Sequence, residues 1–285
     1  MIQVKIKSPA KTFVRDIPQS WGDLIESEKR KALNWMLKLG ADKGRAMFLK
    51  SYLKLPRWVY FFIDTEDWAD LLTQVAFLNL EPITAPIFGQ FLHRDEVYYL
   101  PKAEFTNGSA GEWALALDFY NEFGESKDIN DLLKLVAVLA RENRQNEADT
   151  IRYGDVRVLI HDNSDEVETR AEKLEGLDPA IIMSVLRYFE GIKMLIHDLG
   201  VQSDLWDNPA KDAGKTNKLN KQDSVAIFGW RTIYRSLAES VSEYDVIFQR
   251  KFWEIFSIMK EKKVATDAME AKYKSLTNGS SQKNG

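Results

Sequence analysis

The stretch Leu132–Ala140 constrains the fold most. Its residues are Leu-Leu-Lys-Leu-Val-Ala-Val-Leu-Ala, and Lys134 is the only polar one. A helix that is apolar on nearly every side has to be surrounded by other elements. Asp128 ahead of it suits an N-cap, and Asp131 suits the positive end of the helix dipole. The segment Asp128–Arg141 is therefore read as a central helix with the rest of the chain around it. With 285 residues, 45% of them hydrophobic, the chain is long enough to build that surround.

Ahead of this helix the patterns alternate between strand and helix. Ile2, Val4 and Ile6 repeat at period two and predict a strand, and Thr12–Ile17 is a second extended piece. Helical spacing runs from near Ser27 to Gly40, and a shorter helix covers Lys43–Leu53. The apolar run Trp58–Ile63 reads as a strand or a buried segment. Asp64 or Thr65 opens another helix, with Glu66 and Asp67 in its first turn. Glu96–Leu100 is a candidate strand. Ser109 and Glu112 have capping-box spacing at the head of a helix that ends at Gly124.

After the central helix, Asn143–Asp162 is polar and irregular, apart from a candidate strand at Val156–Ile160. Asp165–Leu174 reads as a solvated acidic helix. Asp178-Pro179 is a cap followed by proline at the first helical position, and an apolar stripe then runs to Gly200. Val201–Gln222 lacks periodicity and reads as a long loop. Two aromatic-rich helices follow as a hairpin, one from Asp223 and one from the box-like Ser242–Asp245. Leu276–Gly285 reads as a disordered tail. The expected class is mainly α with a few short β-strands (α+β), as an irregular helical domain with a C-terminal helical hairpin. It divides into an N-terminal α+β part, 1–105, and a helical part, 106–275, which can also be read as one composite domain.

Chemistry is sparse. The absence of cysteine excludes disulfides, thiolate catalysis and Cys-ligated zinc. Gly214-Lys215-Thr216 resembles the end of a phosphate-binding loop, but Pro209 stands where that loop needs glycine. His93, His161 and His197 are dispersed, and none is four residues from a second ligand. No catalytic residue, cofactor site or metal site is therefore expected. The net charge of −4 argues against a nucleic-acid binder. No apolar run reaches the roughly 20 residues of a membrane helix, and the N-terminus lacks the apolar core of a signal peptide. The expectation is a cytoplasmic protein with neither nucleic acid nor membrane as partner. Among the eight tryptophans, Trp21 and Trp206 lie in less regular stretches. With Phe228 and Trp253, at the edges of the C-terminal apolar stripes, they are the candidate partner-binding residues.

Three segments carry a resemblance: Ile17-Pro-Gln-Ser-Trp-Gly-Asp-Leu24, Asp131–Arg141, and Phe228-Gly-Trp-Arg-Thr-Ile-Tyr-Arg-Ser-Leu-Ala-Glu239. In that order, over most of the chain, they resemble uncharacterised proteins of tailed phages and prophages. Some of these look like tail assembly chaperones, which hold the tape-measure protein before the tail tube forms. The resemblance implies a non-enzymatic protein acting by protein–protein contact in the cytoplasm of a bacterial host. Its partners would be tail proteins, either tape-measure or tube components, with homo-oligomerisation left open. The alternatives are a structural virion component and an enzyme with a site assembled from scattered Asp, Glu and His.

Overall fold

A computed structural model describes residues 1–79, 81–144, 147–203, 205 and 222–281. The opening period-two pattern forms strands β1 (Ile2–Lys7) and β2 (Thr12–Ile17), paired antiparallel with Ile2 opposite Ile17. Ile6, Phe13 and Ile17 are buried. Helices α1 (Glu26–Leu39) and α2 (Ala41–Leu53) follow and pack on one another around Gly40, whose φ of 80° only glycine adopts readily. α3 (Thr65–Gln74) starts at Asp64, whose carboxylate accepts from Asp67 N–H at 2.7 Å.

The run expected as a strand or buried segment is neither. Arg57–Phe62 is a 3₁₀ helix, with Val59 buried and Phe61 87% exposed. A short apolar run has no periodicity to mark its buried face.

A second sheet pairs β3 (Gln90–His93), β4 (Glu96–Tyr99) and β5 (Arg141–Glu142), all antiparallel. α4 (Ala110–Ser126) begins with the expected box: Ser109 Oγ accepts from Glu112 N–H at 3.1 Å, and Glu112 Oε2 accepts from Ser109 N–H at 3.4 Å. The helix runs past Gly124 to Ser126. α5 (Ile129–Leu139) is the central helix, capped by Asp128. Leu132, Leu133 and every residue from Leu135 to Leu139 are buried, against α4, α7 (Ser164–Lys173) and α8 (Pro179–Gln202).

The polar stretch after α5 holds the short helix α6 (Glu147–Tyr153), and its candidate strand reduces to a single bridge between Asn143 and Arg157. α7 is not simply solvated: Val167, Arg170 and Ala171 are buried, because this face covers α5. α8 starts at Asp178 and Pro179 as expected, and overruns Gly200 by two residues. At Gly191 it meets the chain near Ile83. A Cβ there would lie 2.3 Å from the Ile83 carbonyl oxygen, a backbone atom that cannot swing aside. Gly191→Ala should therefore cost about 1–3 kcal/mol, read as a lower urea midpoint; an unchanged midpoint would mean that this crossing is loose.

Most of the expected loop Val201–Gln222 lies outside the described residues, although Val201 and Gln202 belong to α8. The second helix of the C-terminal hairpin is broken in two: α9 (Gln222–Leu237) is followed by α10 (Val241–Gln249) and α11 (Phe252–Ser281). α9 kinks at Gly229. α10 is capped by Ser240, not Ser242: Ser240 Oγ accepts from Glu243 N–H at 3.2 Å, and the Glu243 carboxylate accepts from Glu239 N–H at 2.6 Å. The break at Arg250–Lys251 is held by α4: Ala110 N–H donates to the Arg250 carbonyl at 2.8 Å, and Phe252 N–H to the Gly108 carbonyl at 2.9 Å. α11 continues to Ser281, into the stretch expected as tail. One apolar cluster links Ile6 to Phe256, continuous across residues 105 and 106. The protein is mainly helical with two small antiparallel sheets. Among the described residues, no helix is long and apolar enough to cross a membrane.

Candidate functional site

The capping-box residue Glu112 is fully buried, and around it sits a cluster of charges. Its Oε1 accepts from Arg157 Nη1 at 2.5 Å and its Oε2 from Arg157 Nη2 at 3.0 Å, a two-pronged pair. Asp155 takes the other edge of the same guanidinium, with Nε at 3.0 Å and Nη2 at 2.8 Å from Oδ2. The Leu139 carbonyl, at the end of α5, accepts from Arg157 Nη1 at 2.8 Å. Arg141, the first residue of β5, places Nη2 2.7 Å from Glu112 Oε2 and Nη1 2.5 Å from the Val158 carbonyl. Asn107 closes the set by donating to Asp155 Oδ1 at 3.1 Å. Two carboxylates thus face two guanidiniums, and the formal charge sums to zero.

The electrostatics follow from these partners. Burial opposes ionisation of Asp155, but Arg157 beside it outweighs that and holds its carboxyl below the usual range. Burial also works against the charge on Arg157, yet the two carboxylates raise its pKa. Arg141 has one close carboxylate, so burial dominates and pulls it down to about 10, which leaves it charged at neutral pH. Its Nε has no hydrogen-bond partner. The cluster joins the head of α4, the end of α5, β5 and the 155–158 segment. Every oxygen of both carboxylates accepts a hydrogen bond from a cluster member.

Beside the cluster, a groove of about 730 Å³ lies between the 152–162 segment and the α10–α11 break. Leu159, Val246 and Phe248 supply its apolar lining. Charges of both signs surround them: Arg152, Arg250 and Lys251 against Asp162, Asp245 and Glu254. Asp162 is held by the Tyr244 hydroxyl at 2.7 Å and by Arg231 at 3.3 Å. His161 is exposed and pairs with Glu166 through Nδ1 at 3.2 Å. Among the described residues, no serine or threonine hydroxyl and no lysine nitrogen is hydrogen-bonded to His161.

Trp21 and Trp253, the candidate partner-binding residues whose side chains are described, do not line this groove. Trp21 is half-buried, edge-on to Phe77 at 5.8 Å. Trp253 is half-buried against Phe252 and Phe256, and its indole N–H donates to the Glu104 carbonyl at 2.8 Å. Trp206 and Gly214–Thr216 lie outside the described residues, as does the side chain of Phe228. The three histidines sit apart, on β3, ahead of α7 and on α8. Among the described residues no group of three or more His, Asp or Glu is placed to hold a metal ion.

Sequence reasoning passed over Glu112, Arg141, Asp155 and Arg157 as site residues. One signal was available: Glu112 sits among Gly111, Trp113, Ala114 and Leu115, on a helix with little polar surface. No model of a known protein family matches the chain, and neither does any curated protein or solved structure.

Proposed function

We propose that this protein acts without catalysis, by protein–protein contact, as an assembly chaperone of a tailed phage. In this reading it holds a tape-measure or tube component in the cytoplasm of the bacterial host. The observation that carries the contact reading is the groove. Its apolar side chains, Leu159, Val246 and Phe248, lie beside charges of both signs, a surface chemistry suited to a polypeptide segment. The phage assignment rests on the three-segment resemblance. Two of those segments supply packing residues here: Leu135–Leu139 in α5, and Trp230 and Tyr234 in α9.

The test is capture by tagged protein from cells in which the phage is being produced. Wild type should retain a tail component, and it should be absent from purified particles. Asp245→Lys with Glu254→Lys reverses two exposed rim charges and leaves the core intact, so capture should fall by roughly tenfold or more while the melting curve stays put. Retention of no tail protein by the wild type would sink the proposal. Fixed copies in purified particles would favour a virion component instead.

A further inference from the structure

The 3₁₀ turn after α2 carries aromatic side chains that the core does not use. Phe61 is 87% exposed, Phe62 53% and Trp58 42%, within five consecutive residues. Single exposed apolar residues are ordinary, but a contiguous aromatic group marks a contact surface. The turn is anchored beneath them: Val59 is fully buried, and the Tyr60 hydroxyl donates to the Lys50 carbonyl at 2.8 Å. The three rings are thus presented on a fixed base.

Cations surround this group. Lys11 Nζ lies 4.6 Å from the Phe13 ring centre, and Phe13 meets Trp58 edge-on at 6.4 Å. Arg15 reaches the same Phe13 ring and donates to the Leu53 carbonyl. Lys50 sits over Tyr60 and Trp68. Lys54, just after α2, and Arg57, at the start of the turn, are exposed. From Lys50 to Ile63 the sequence holds no acid. Of the acids that follow, Asp64 turns its carboxylate onto the Asp67 N–H, and Asp67 and Asp70 line a cleft against Lys5. Asp16 lies on the opposite face of β2 from Phe13 and Arg15. Counting Asp64, Glu66, Asp67 and Asp70 against Lys5, Lys11, Arg15, Lys50, Lys54 and Arg57 leaves an excess of two positive charges.

We infer that this turn docks the protein peripherally on an anionic phospholipid surface, with Phe61 and Phe62 entering the headgroup region and the basic rim meeting lipid phosphates. Aromatic side chains favour that interface, and cations beside them add attraction to anionic lipid. A single-stranded nucleic acid would also meet cations and rings, but stacking needs open ring faces. Trp58 is instead wedged between Phe13 and Phe62, edge-to-face with both. This contact departs from the expectation of no membrane partner, which rested on the lack of spanning segments. It is independent of the groove.

The experiment is co-sedimentation of the full chain with phosphatidylcholine vesicles, with and without phosphatidylglycerol. Wild type should bind the phosphatidylglycerol vesicles, and added salt should weaken binding. Phe61→Ser with Phe62→Ser should weaken binding by about tenfold or more without altering the thermal melt, since both side chains are exposed. Lys54→Glu with Arg57→Glu should do likewise. Wild type that ignores phosphatidylglycerol vesicles would overturn the inference. So would equal binding by the Phe61/Phe62 variant, or binding of an oligothymidylate that the same substitutions abolish while vesicles are ignored.

Discussion

Glu112→Ala is expected to lose about 3–5 kcal/mol of folding stability, because it strands two buried guanidiniums. Arg157 would keep Asp155, but both of its contacts to Glu112, at 2.5 and 3.0 Å, would go. Arg141 would fare worse, since its one remaining carboxylate is Asp155 at 3.8 Å. The Arg157 side chain is fully buried, so bulk solvent does not already solvate the charge that loses its partner. Glu112→Gln keeps the volume and part of the hydrogen bonding but not the charge, so it should be milder yet clearly harmful. Glu112→Ala with Arg157→Ala should cost far less than the sum of the single changes, because each leaves the other's partner unpaired. Chemical denaturation of the four proteins reads this directly. Additive losses, or a Glu112→Ala loss within the scatter of surface substitutions, would show that the cluster is solvated in solution.

Trp113→Ala should cost a similar amount, about 3–5 kcal/mol, for a different reason. Trp113 is the hub of the aromatic core. Its ring meets Phe189 and Phe252 at 5.3 Å, Trp230 at 6.0 Å and Phe105 at 6.3 Å. These rings come from α8, α11, α9 and the turn before α4, so a void here loosens four elements together. Trp113→Phe separates packing from polarity. The indole N–H is buried without a partner, and such a group costs about 1–3 kcal/mol. Removing it offsets part of the lost ring volume, so the phenylalanine variant should fall well short of the alanine loss. Equal losses for the two variants would mean that the ring edge, not its bulk, holds the cluster.

Elements with local signals were legible in the sequence. Asp178-Pro179, the Ser109–Glu112 box and the period-two pattern of Ile2, Val4 and Ile6 each write their structure within a few residues. The central helix was legible because a segment with one polar residue in nine has nowhere to go but inside. The Arg57–Phe62 turn was not, since a run of six apolar residues fits strand, helix or turn equally well. The break at Arg250–Lys251 was hidden because no glycine or proline marks it; hydrogen bonds from the head of α4 impose it. The charge cluster was the least legible. Asp155 and Arg157, in a polar stretch, look like surface residues. Only the arrival of Glu112 and Arg141 from elsewhere makes their burial tolerable, and a pairing of that kind has no periodicity to read.

The four-charge cluster also bears on how the chain reaches its native state. Glu112 is separated from Arg141 by 29 residues and from Arg157 by 45, so loops of that size must close before either pair forms. A half-built version would hold dehydrated charge without its counterpart, which places the cluster after the barrier rather than in the nucleus. Substitutions at Glu112 or Arg157 should therefore act on the unfolding arm of a chevron and leave the refolding arm nearly unmoved. In that sense the cluster works as a late-closing clasp, one that sets how long the folded chain persists rather than how quickly it forms.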